Sequence, residues 1–218
     1  MWVRLNCNQN IVTKGKMHQY KKGDWVDVGR QWAQQWIAGG IASALDLTAA
    51  DGKPLEPTAG ILVCGSINQE TQDQITTATH LQFAFIPDGT AQNWLPFTET
   101  LIYKPSFVLR LDLLITGFNL LKKWQVVIPL WDYETLASGV GTEQDREATK
   151  AIVRDLRVPL RDTRLIFARR CSDTRKLMQL WRAGCVPGAD ERLAWMRAMY
   201  TVKPLVCDLP ASWTGRGK

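Results

Sequence analysis

Two carboxylates, Asp132 and Glu134, stand one residue apart directly after an apolar run rich in valine and isoleucine. Such a run predicts a buried strand, so both acids are expected where that strand ends. Carboxylate oxygens are preferred ligands of Mg²⁺ and Mn²⁺, and a cation held there would neutralise a diphosphate leaving group. We therefore predict a site for Mg or Mn at Asp132 and Glu134. The alternative is that both carboxylates face solvent in an ordinary loop.

A second candidate site follows an earlier apolar run, residues 61–64. Gly65, Ser66 and Asn68 come at the end of that predicted strand, where open α/β sheets bind their ligands. A glycine in such a turn allows backbone N–H groups to approach a phosphate closely. These three residues are predicted to contact a nucleotide, and the alternative is a plain turn. The chain contains neither the G-x-G-x-x-G nor the G-x-x-x-x-G-K-[ST] pattern, which disfavours dinucleotide and P-loop sites of the usual kind.

Three further residues near the C-terminal end complete the predicted nucleotide site. Arg169 and Arg170 end another apolar run, and the arginine fork suits phosphate oxygens. Trp213 follows the last predicted strand, where its ring could stack on a base or a sugar. The alternatives are a charged strand terminus for the two arginines and a core position for the tryptophan.

Composition and residue usage exclude several classes of protein. No apolar run approaches the ~18–20 residues that span a bilayer, and the longest, residues 107–121, contains Arg110 and Asp112. We therefore expect no membrane span, and the N-terminus has no signal-peptide pattern, which favours the cytoplasm or a particle assembled there. The five cysteines show no C-x-x-C spacing, and His18 and His80 are the only histidines. A histidine zinc site or a Cys–His nucleophilic pair is therefore not expected.

Positive charge is concentrated in the last third of the chain. Residues 146–218 contain 16 of the 27 Lys and Arg residues but only 7 of the 21 Asp and Glu residues. This distribution indicates either an anion site or a solvated basic face. Since the arginines are not interleaved with aromatic residues in a known nucleic-acid motif, direct nucleic-acid binding is not expected.

The order of predicted elements gives an α/β fold class. From residue 60 onward apolar strands alternate with helical patterns, which predicts a three-layer, mostly parallel sheet in residues 60–218. Residues 1–44 predict a small unit of a β-hairpin and one helix, in which Trp32, Trp36 and Ile37 share the packed face. Residues 45–59, rich in Ala, Asp, Gly and Pro, are the predicted linker.

The C-terminal part resembles nucleotide-diphospho-sugar glycosyltransferases of the GT-A type. The resemblance is carried by an apolar strand ending in Arg169-Arg170, a helix from Leu177 to Trp181, a helix begun by Asp190-Glu191, and a closing Leu209-Pro210. It implies a GT-A/Rossmann-like fold, a nucleotide-sugar ligand and a metal held by a D-x-D motif. Asp132-Tyr133-Glu134 stands in a suitable place for that motif, with Glu replacing the second Asp. The resemblance therefore implies a glycosyltransferase-like protein, shortened or inactive.

The N-terminal unit is similar to a different class of protein. Residues 20–28, followed by the helical residues 32–39, resemble the openings of uncharacterised bacteriophage proteins. This resemblance implies a second hypothesis, a non-enzymatic virion structural or assembly protein whose small N-terminal unit docks other virion proteins. The first hypothesis predicts binding of a nucleotide-sugar together with a divalent cation, and the second predicts stoichiometric assembly into a particle.

Overall fold

The computed structural model describes residues 2–13, 16–44, 59–79, 81–86, 97–105 and 109–214. The chain forms two compact units. The first comprises Met1–Thr90, Pro96–Thr98 and Tyr103–Pro105, and the second comprises Ala91–Leu95, Glu99–Ile102 and Ser106–Lys218. The predicted linker, residues 45–59, lies almost entirely outside the described residues, so a domain boundary at that place stays a prediction.

Strands and helices alternate along much of the chain, which confirms the predicted α/β class. The strands are β1 (Trp2–Leu5), β2 (Gln9–Thr13), β3 (Lys16–Tyr20), β4 (Trp25–Asp27), β5 (Ala42–Ala44), β6 (Ala59–Cys64), β7 (Gln82–Ile86), β8 (Glu99–Tyr103), β9 (Val126–Thr135), β10 (Pro159–Arg161), β11 (Leu165–Arg169) and β12 (Val206–Leu209). The helices are α1 (Arg30–Ala38), α2 (Gln69–Thr79), α3 (Leu111–Leu121), α4 (Glu143–Val153), α5 (Ser172–Gly184) and α6 (Glu191–Val202), with short 3-10 turns at Leu136–Ser138 and Ala211–Thr214.

The first unit contains a sheet in the order β6–β7–β4–β1–β5. The pairs β6–β7 and β4–β7 are parallel, whereas β1 is antiparallel to both β4 and β5. Strand β6 is buried along most of its length, as its uninterrupted apolar sequence predicts. A buried carboxylate, Asp24, joins the turn before β4 to α2: its Oδ2 accepts from the Lys21 N–H at 2.7 Å, and its Oδ1 accepts from Gln72 Nε2 at 3.2 Å.

Strands β2 and β3 form a separate antiparallel hairpin in the first unit. Ile11, His18 and Tyr20 point to its buried side, whereas the directly opposed residues Val12 and Met17 are 62% and 64% exposed. The alternation follows from the two-residue period of strands, and it leaves an apolar cross-strand pair in solvent.

The second unit is organised around the long strand β9. Its first half lies between β11, which is antiparallel to it, and β12, which is parallel. Strand β10 pairs antiparallel with the second half, and β8 lies beside β11. Because Val126, Val127 and Ile128 are fully buried, this part of β9 forms the centre of the unit's core.

Helices cover this core through close aromatic contacts. Gly117 of α3 lies directly on Phe167 of β11, since an added Cβ at Gly117 would stand 2.2 Å from Phe167 Cζ. Trp181 of α5 and Trp195 of α6 are fully buried, with ring centroids 5.0 Å apart in an edge-to-face arrangement. The Trp181 indole N–H donates to the Glu191 carbonyl at 3.2 Å, which connects α5 to the start of α6.

Side-chain caps mark the starts of two helices, and the helix predicted to begin at Asp190-Glu191 is confirmed. Thr142 caps α4 by accepting a hydrogen bond from the Asp145 N–H at 3.2 Å, and Asp190 caps α6 by accepting from the Arg192 N–H at 2.8 Å. Helix α5 ends at Gly184, and the glycine with positive φ in the following connection is Gly188, at +85°.

The packed face of α4 is not its apolar face, since Ala148, Ala151 and Ile152 are exposed. The buried stripe consists of Asp145, Thr149 and Val153, two of which bind Arg197. The predicted face of α1 is correct in part, because Trp36 and Ile37 are half-buried near the buried Ala33, whereas Trp32 is 49% exposed. On α4 polar residues occupy much of the packed face, which hydrophobic periodicity does not predict.

Candidate functional site

The predicted acid pair lies inside strand β9, within a bulge, and not in a loop after the strand. Opposite β10, Leu130 pairs with Arg161 and Thr135 pairs with Pro159, so β9 carries additional residues between these two pairs. Asp132, in the middle of this stretch, has a left-handed φ of +44°. Asp tolerates this conformation better than most residues, and bulges often re-aim side chains beside functional sites.

Glu134 is bound by an arginine of α6. Its Oε2 accepts a hydrogen bond from Arg192 Nη1 at 3.2 Å, while Nη2 of the same guanidinium donates to Asp190 Oδ2 at 2.6 Å. Burial raises the pKa of Asp190, but its hydrogen bonds to Arg192 and Leu193 and the charge of Arg192 together outweigh burial and lower the pKa. Glu134 therefore shares the single positive charge of Arg192 with Asp190, to which the guanidinium is bound at two points.

Asp132 differs from Glu134 in its surroundings. Within the described part of the chain, its carboxylate has no ion-pair or hydrogen-bond partner. The described residues also contain no group of three or more His, Cys, Asp and Glu side chains that could hold a metal ion. A divalent cation at this bulge would have to compete with Arg192 for Glu134, and its binding by the two carboxylates stays a prediction.

Trp131, next to Asp132, lies beside two arginines. The guanidinium carbon of Arg192 is 4.4 Å from the indole centroid, and that of Arg164 is 4.9 Å away. Arg164 is held in turn by the fully buried Asp162, to which its Nε donates at 2.8 Å. Apart from the enrichment of arginine, no local pattern predicts this cation–π cluster, because its members come from distant positions in the chain.

Trp213 lines a cleft in the second unit. The cleft has a volume of about 260 Å³ and is lined by Arg110, Asp112, Leu113, Thr116, Ser212 and Trp213. Arg110 forms a two-point ion pair with Asp112, through Nε at 3.1 Å and Nη2 at 2.5 Å. Hydrogen bonding from Arg110 lowers the pKa of Asp112. The cleft thus places an aromatic ring near an ion pair whose two side chains are 66% and 65% exposed.

The other predicted nucleotide-binding residues do not line this cleft. Arg169 and Arg170 are partly exposed at the end of β11, where the Arg169 N–H donates to the Gln125 carbonyl at 2.9 Å. Asn68 caps α2, since its Oδ1 accepts from the Thr71 N–H at 2.7 Å. Gly65 has a φ of +121°, which a residue with a side chain rarely adopts. Ser66, beside it, is exposed.

Ion pairs other than that of Glu134 also hold the second unit together. Arg161 binds Asp208 of β12 through Nε at 2.7 Å and Nη2 at 2.9 Å. Arg197 binds Asp145 of α4 through Nη1 at 2.5 Å. Several of the late arginines therefore have structural partners, so the positive charge of this region is not simply a free anion-binding surface. None of the described helices is long and apolar enough to cross a membrane.

Comparisons with known proteins give only distant likenesses. No protein-family model matches the sequence, and no curated protein matches it. One similar structure is A197 from STIV, with a TM-score of 0.37 and 11% identity over 71% of this chain and 83% of that one. Another, provisionally named a nucleotide-diphospho-sugar transferase, comes from Desulfovibrio desulfuricans G20 and has a TM-score of 0.34 and 12% identity over 69% and 58% of the two chains.

This chain thus spans less than two thirds of the length of the Desulfovibrio protein. At such low TM-scores neither likeness supports a function, and the functional argument rests on the geometry of the site.

Proposed function

We propose that this chain is a glycosyltransferase-like protein that binds a nucleotide-sugar, with the nucleotide base in the Trp213 cleft. The observation that carries the proposal is the combination of Trp213 with Arg110 and Asp112 around one concave space. An indole ring stacks on any of the nucleotide bases, since every base has a π-face. A guanidinium and a carboxylate supply the donors and acceptors that recognise a base edge or ribose hydroxyls.

The size of the cleft is consistent with a partial enclosure of such a ligand. Its volume of about 260 Å³ lies just below the range of roughly 300–1,000 Å³ for pockets that surround a drug-sized molecule. We therefore propose that the base and ribose enter the cleft, while the diphosphate and the sugar extend beyond it. Arg110 lies on the cleft wall and is paired with Asp112, so the two side chains supply hydrogen-bond donors and acceptors without a net charge.

The remaining predicted contacts stay predictions apart from the Trp213 cleft. Arg169 lies beside Gln125 at the start of β9, whereas β12, which precedes Trp213, runs along β9 toward Pro129, so phosphate binding by Arg169 and Arg170 is a separate prediction. Contact of Gly65, Ser66 and Asn68 with a nucleotide is a prediction for the first unit by itself. The Asn68 carbonyl oxygen is used by α2, so the amide NH₂ group is its remaining donor. Binding of Mg²⁺ or Mn²⁺ by Asp132 and Glu134 stays a separate prediction, and nucleotide binding in the cleft does not depend on it.

Isothermal titration calorimetry tests the proposal directly. The wild-type chain is titrated with a uridine-diphosphate sugar, a guanosine-diphosphate sugar and inorganic diphosphate, each with and without Mn²⁺. We expect saturable binding of at least one nucleotide-sugar and much weaker binding of diphosphate, because the base supplies the stacking. Equal affinity for diphosphate and for the nucleotide-sugars would refute a base-binding cleft.

The exposed hairpin pair supports a second candidate function, a structural or assembly protein of a virion. Val12 and Met17 are opposed on the outer side of the β2–β3 hairpin and are each more than 60% exposed, and Trp32 of α1 is also half exposed. Exposed large apolar side chains are favourable sites for protein docking. This candidate predicts that the chain occurs in purified particles at a constant ratio to the other particle proteins.

A substitution in the hairpin separates this candidate from the first. Val12→Asp would place a charge at the proposed docking surface and is expected to reduce incorporation into particles. Ile152→Asp, at an exposed apolar residue of α4, serves as the matched control. Absence of the chain from purified particles, or equal incorporation of both variants, would reject the structural role.

A further inference from the structure

A second cleft lies in the same unit, between the start of α4, the α5–α6 connection and Arg197 of α6. Its volume is about 380 Å³, within the range of roughly 300–1,000 Å³ typical of small-molecule sites. One part of its lining is polar, with Gln144, Asp145 and Arg197. The other part is apolar and includes Ala148, Pro187 and Ala189. None of these residues belongs to the Trp213 cleft or to the β9 bulge.

The guanidinium of Arg197 is used by the protein on one side only. Its Nη1 donates to Asp145 Oδ1 at 2.5 Å and to Thr149 Oγ1 at 2.8 Å. Nε and Nη2 make no hydrogen bond to the described residues, and neither is among the buried polar atoms without a partner. Each of the two atoms therefore keeps some solvent exposure, and the side chain as a whole is 18% exposed.

These two atoms are the parallel pair of donors that binds an oxyanion side-on. Nε–H and one Nη2–H of a guanidinium match the two oxygens of a carboxylate in a two-point hydrogen bond. Asp145 keeps this fork in place, because its Oδ1 holds Nη1 and its Oδ2 accepts from the Asp190 N–H at 3.0 Å. Each Asp145 oxygen thus has a partner in the protein, and Nε and Nη2 of Arg197 are left as cationic donors.

From this geometry we infer that the cleft binds a small aliphatic carboxylic acid, with its carboxylate on Nε and Nη2 of Arg197. A monoanion suits the site better than a phosphate dianion, because Asp145 already balances much of the single positive charge. The apolar wall formed by Ala148, Pro187 and Ala189 accommodates a short hydrocarbon chain. The start of α4 adds the weak positive potential of a helix N-terminus.

Nuclear magnetic resonance titrations with butyrate, acetate and inorganic phosphate test this inference on the full chain. Butyrate is expected to shift the amide signals of Gln144, Gly188 and Ala189 to saturation. It should bind more tightly than acetate, by about fourfold for each methylene group that becomes buried. Phosphate should bind more weakly than butyrate. Shifts that rise linearly without saturation, or an equal affinity for all three anions, would overturn the inference.

Two variants locate the site. Arg197→Lys keeps the charge but removes the side-on fork, so butyrate affinity should fall by about tenfold or more, the effect expected when a charge-assisted hydrogen bond worth ~1.5–3 kcal/mol is lost. Ala148→Leu fills the cleft from an exposed helix position without touching the ion pair, and it should abolish saturation while the other amide signals stay in place. Arg157→Lys, at a largely exposed arginine, is the control and should bind like the wild type. Unchanged affinity in Ala148→Leu would place the carboxylate elsewhere.

Discussion

Arg192 donates a hydrogen bond to Glu134 at 3.2 Å, and the same guanidinium lies over the ring of Trp131 at 4.4 Å. The position of Arg192 gives the two acids of the predicted site, Asp132 and Glu134, different surroundings. One carboxylate of the pair is occupied by a cation of the protein, whereas Asp132 has no ion-pair partner among the described residues. The two acids, although one residue apart, are therefore not equivalent.

Removal of Arg192 is expected to increase the affinity of the bulge for divalent cations. In Arg192→Gln the guanidinium no longer competes for Glu134, so both carboxylates become available to Mn²⁺. Titration of the Mn²⁺ signal by electron paramagnetic resonance should show tighter binding than in the wild type. The double variant Arg192→Gln with Glu134→Gln is the control and should lose the gain. If the single variant binds Mn²⁺ no better than the wild type, Arg192 does not control the site.

The buried carboxylate of Asp24 predicts a pH dependence of stability. Burial raises the pKa of Asp24 from 3.8 to about 6, so the folded chain binds this proton more tightly than the unfolded chain does. The stability contributed by the neutral acid is present below pH 3.8 and is lost as the pH rises to about 6. The full loss is on the order of 3 kcal/mol, partly offset by relaxation of the surrounding structure.

Urea unfolding of wild type and Asp24→Asn between pH 4 and pH 7 measures this effect. Asn cannot ionise, so the free energy of unfolding of the wild type should fall relative to that of the variant as the pH rises. Asn also loses one of the two acceptor oxygens that bind Lys21 and Gln72, which shifts the variant's curve by a pH-independent amount. Parallel curves over this range would contradict a raised pKa.

The contact of α3 with β11 predicts that Gly117→Ala destabilises the second unit. The new methyl group would lie 2.2 Å from Phe167 Cζ, and overpacking of this kind costs about 1–3 kcal/mol. Thermal and urea unfolding measure the loss. The double variant Gly117→Ala with Phe167→Leu is the matched test, because the smaller leucine side chain leaves space for the new methyl group. If the two substitutions were additive, the proposed collision would not be the cause of the loss.

Local signals predicted much of the fold. The caps Thr142 and Asp190 mark the starts of α4 and α6 because the hydrogen bonds involved span only two or three residues. The α/β alternation follows from the buried apolar strands that the sequence displays directly, such as β6 and β11. These features depend on neighbours in the chain, and a sequence contains that information.

Features that depend on distant partners were missed. Strands β8 and β10 are short and depend on their pairing neighbours, and the bulge of β9 exists only in relation to β10. The polar packed face of α4 is explained by Arg197, about fifty residues later. Likewise, no local pattern brings Arg192 to Glu134. The sequence therefore predicts the two acids of the candidate site but not the arginine that binds one of them.

Comparison of two tryptophan variants tests the proposed nucleotide binding most directly. Trp213→Ala removes the ring that lines the cleft, whereas Trp32→Ala removes a half-exposed tryptophan elsewhere in the chain. Base–aromatic stacking is worth about 1–3 kcal/mol, which predicts a nucleotide-sugar affinity about 5- to 150-fold weaker in Trp213→Ala and unchanged in Trp32→Ala. Wild-type affinity in a folded Trp213→Ala chain would contradict the proposed function.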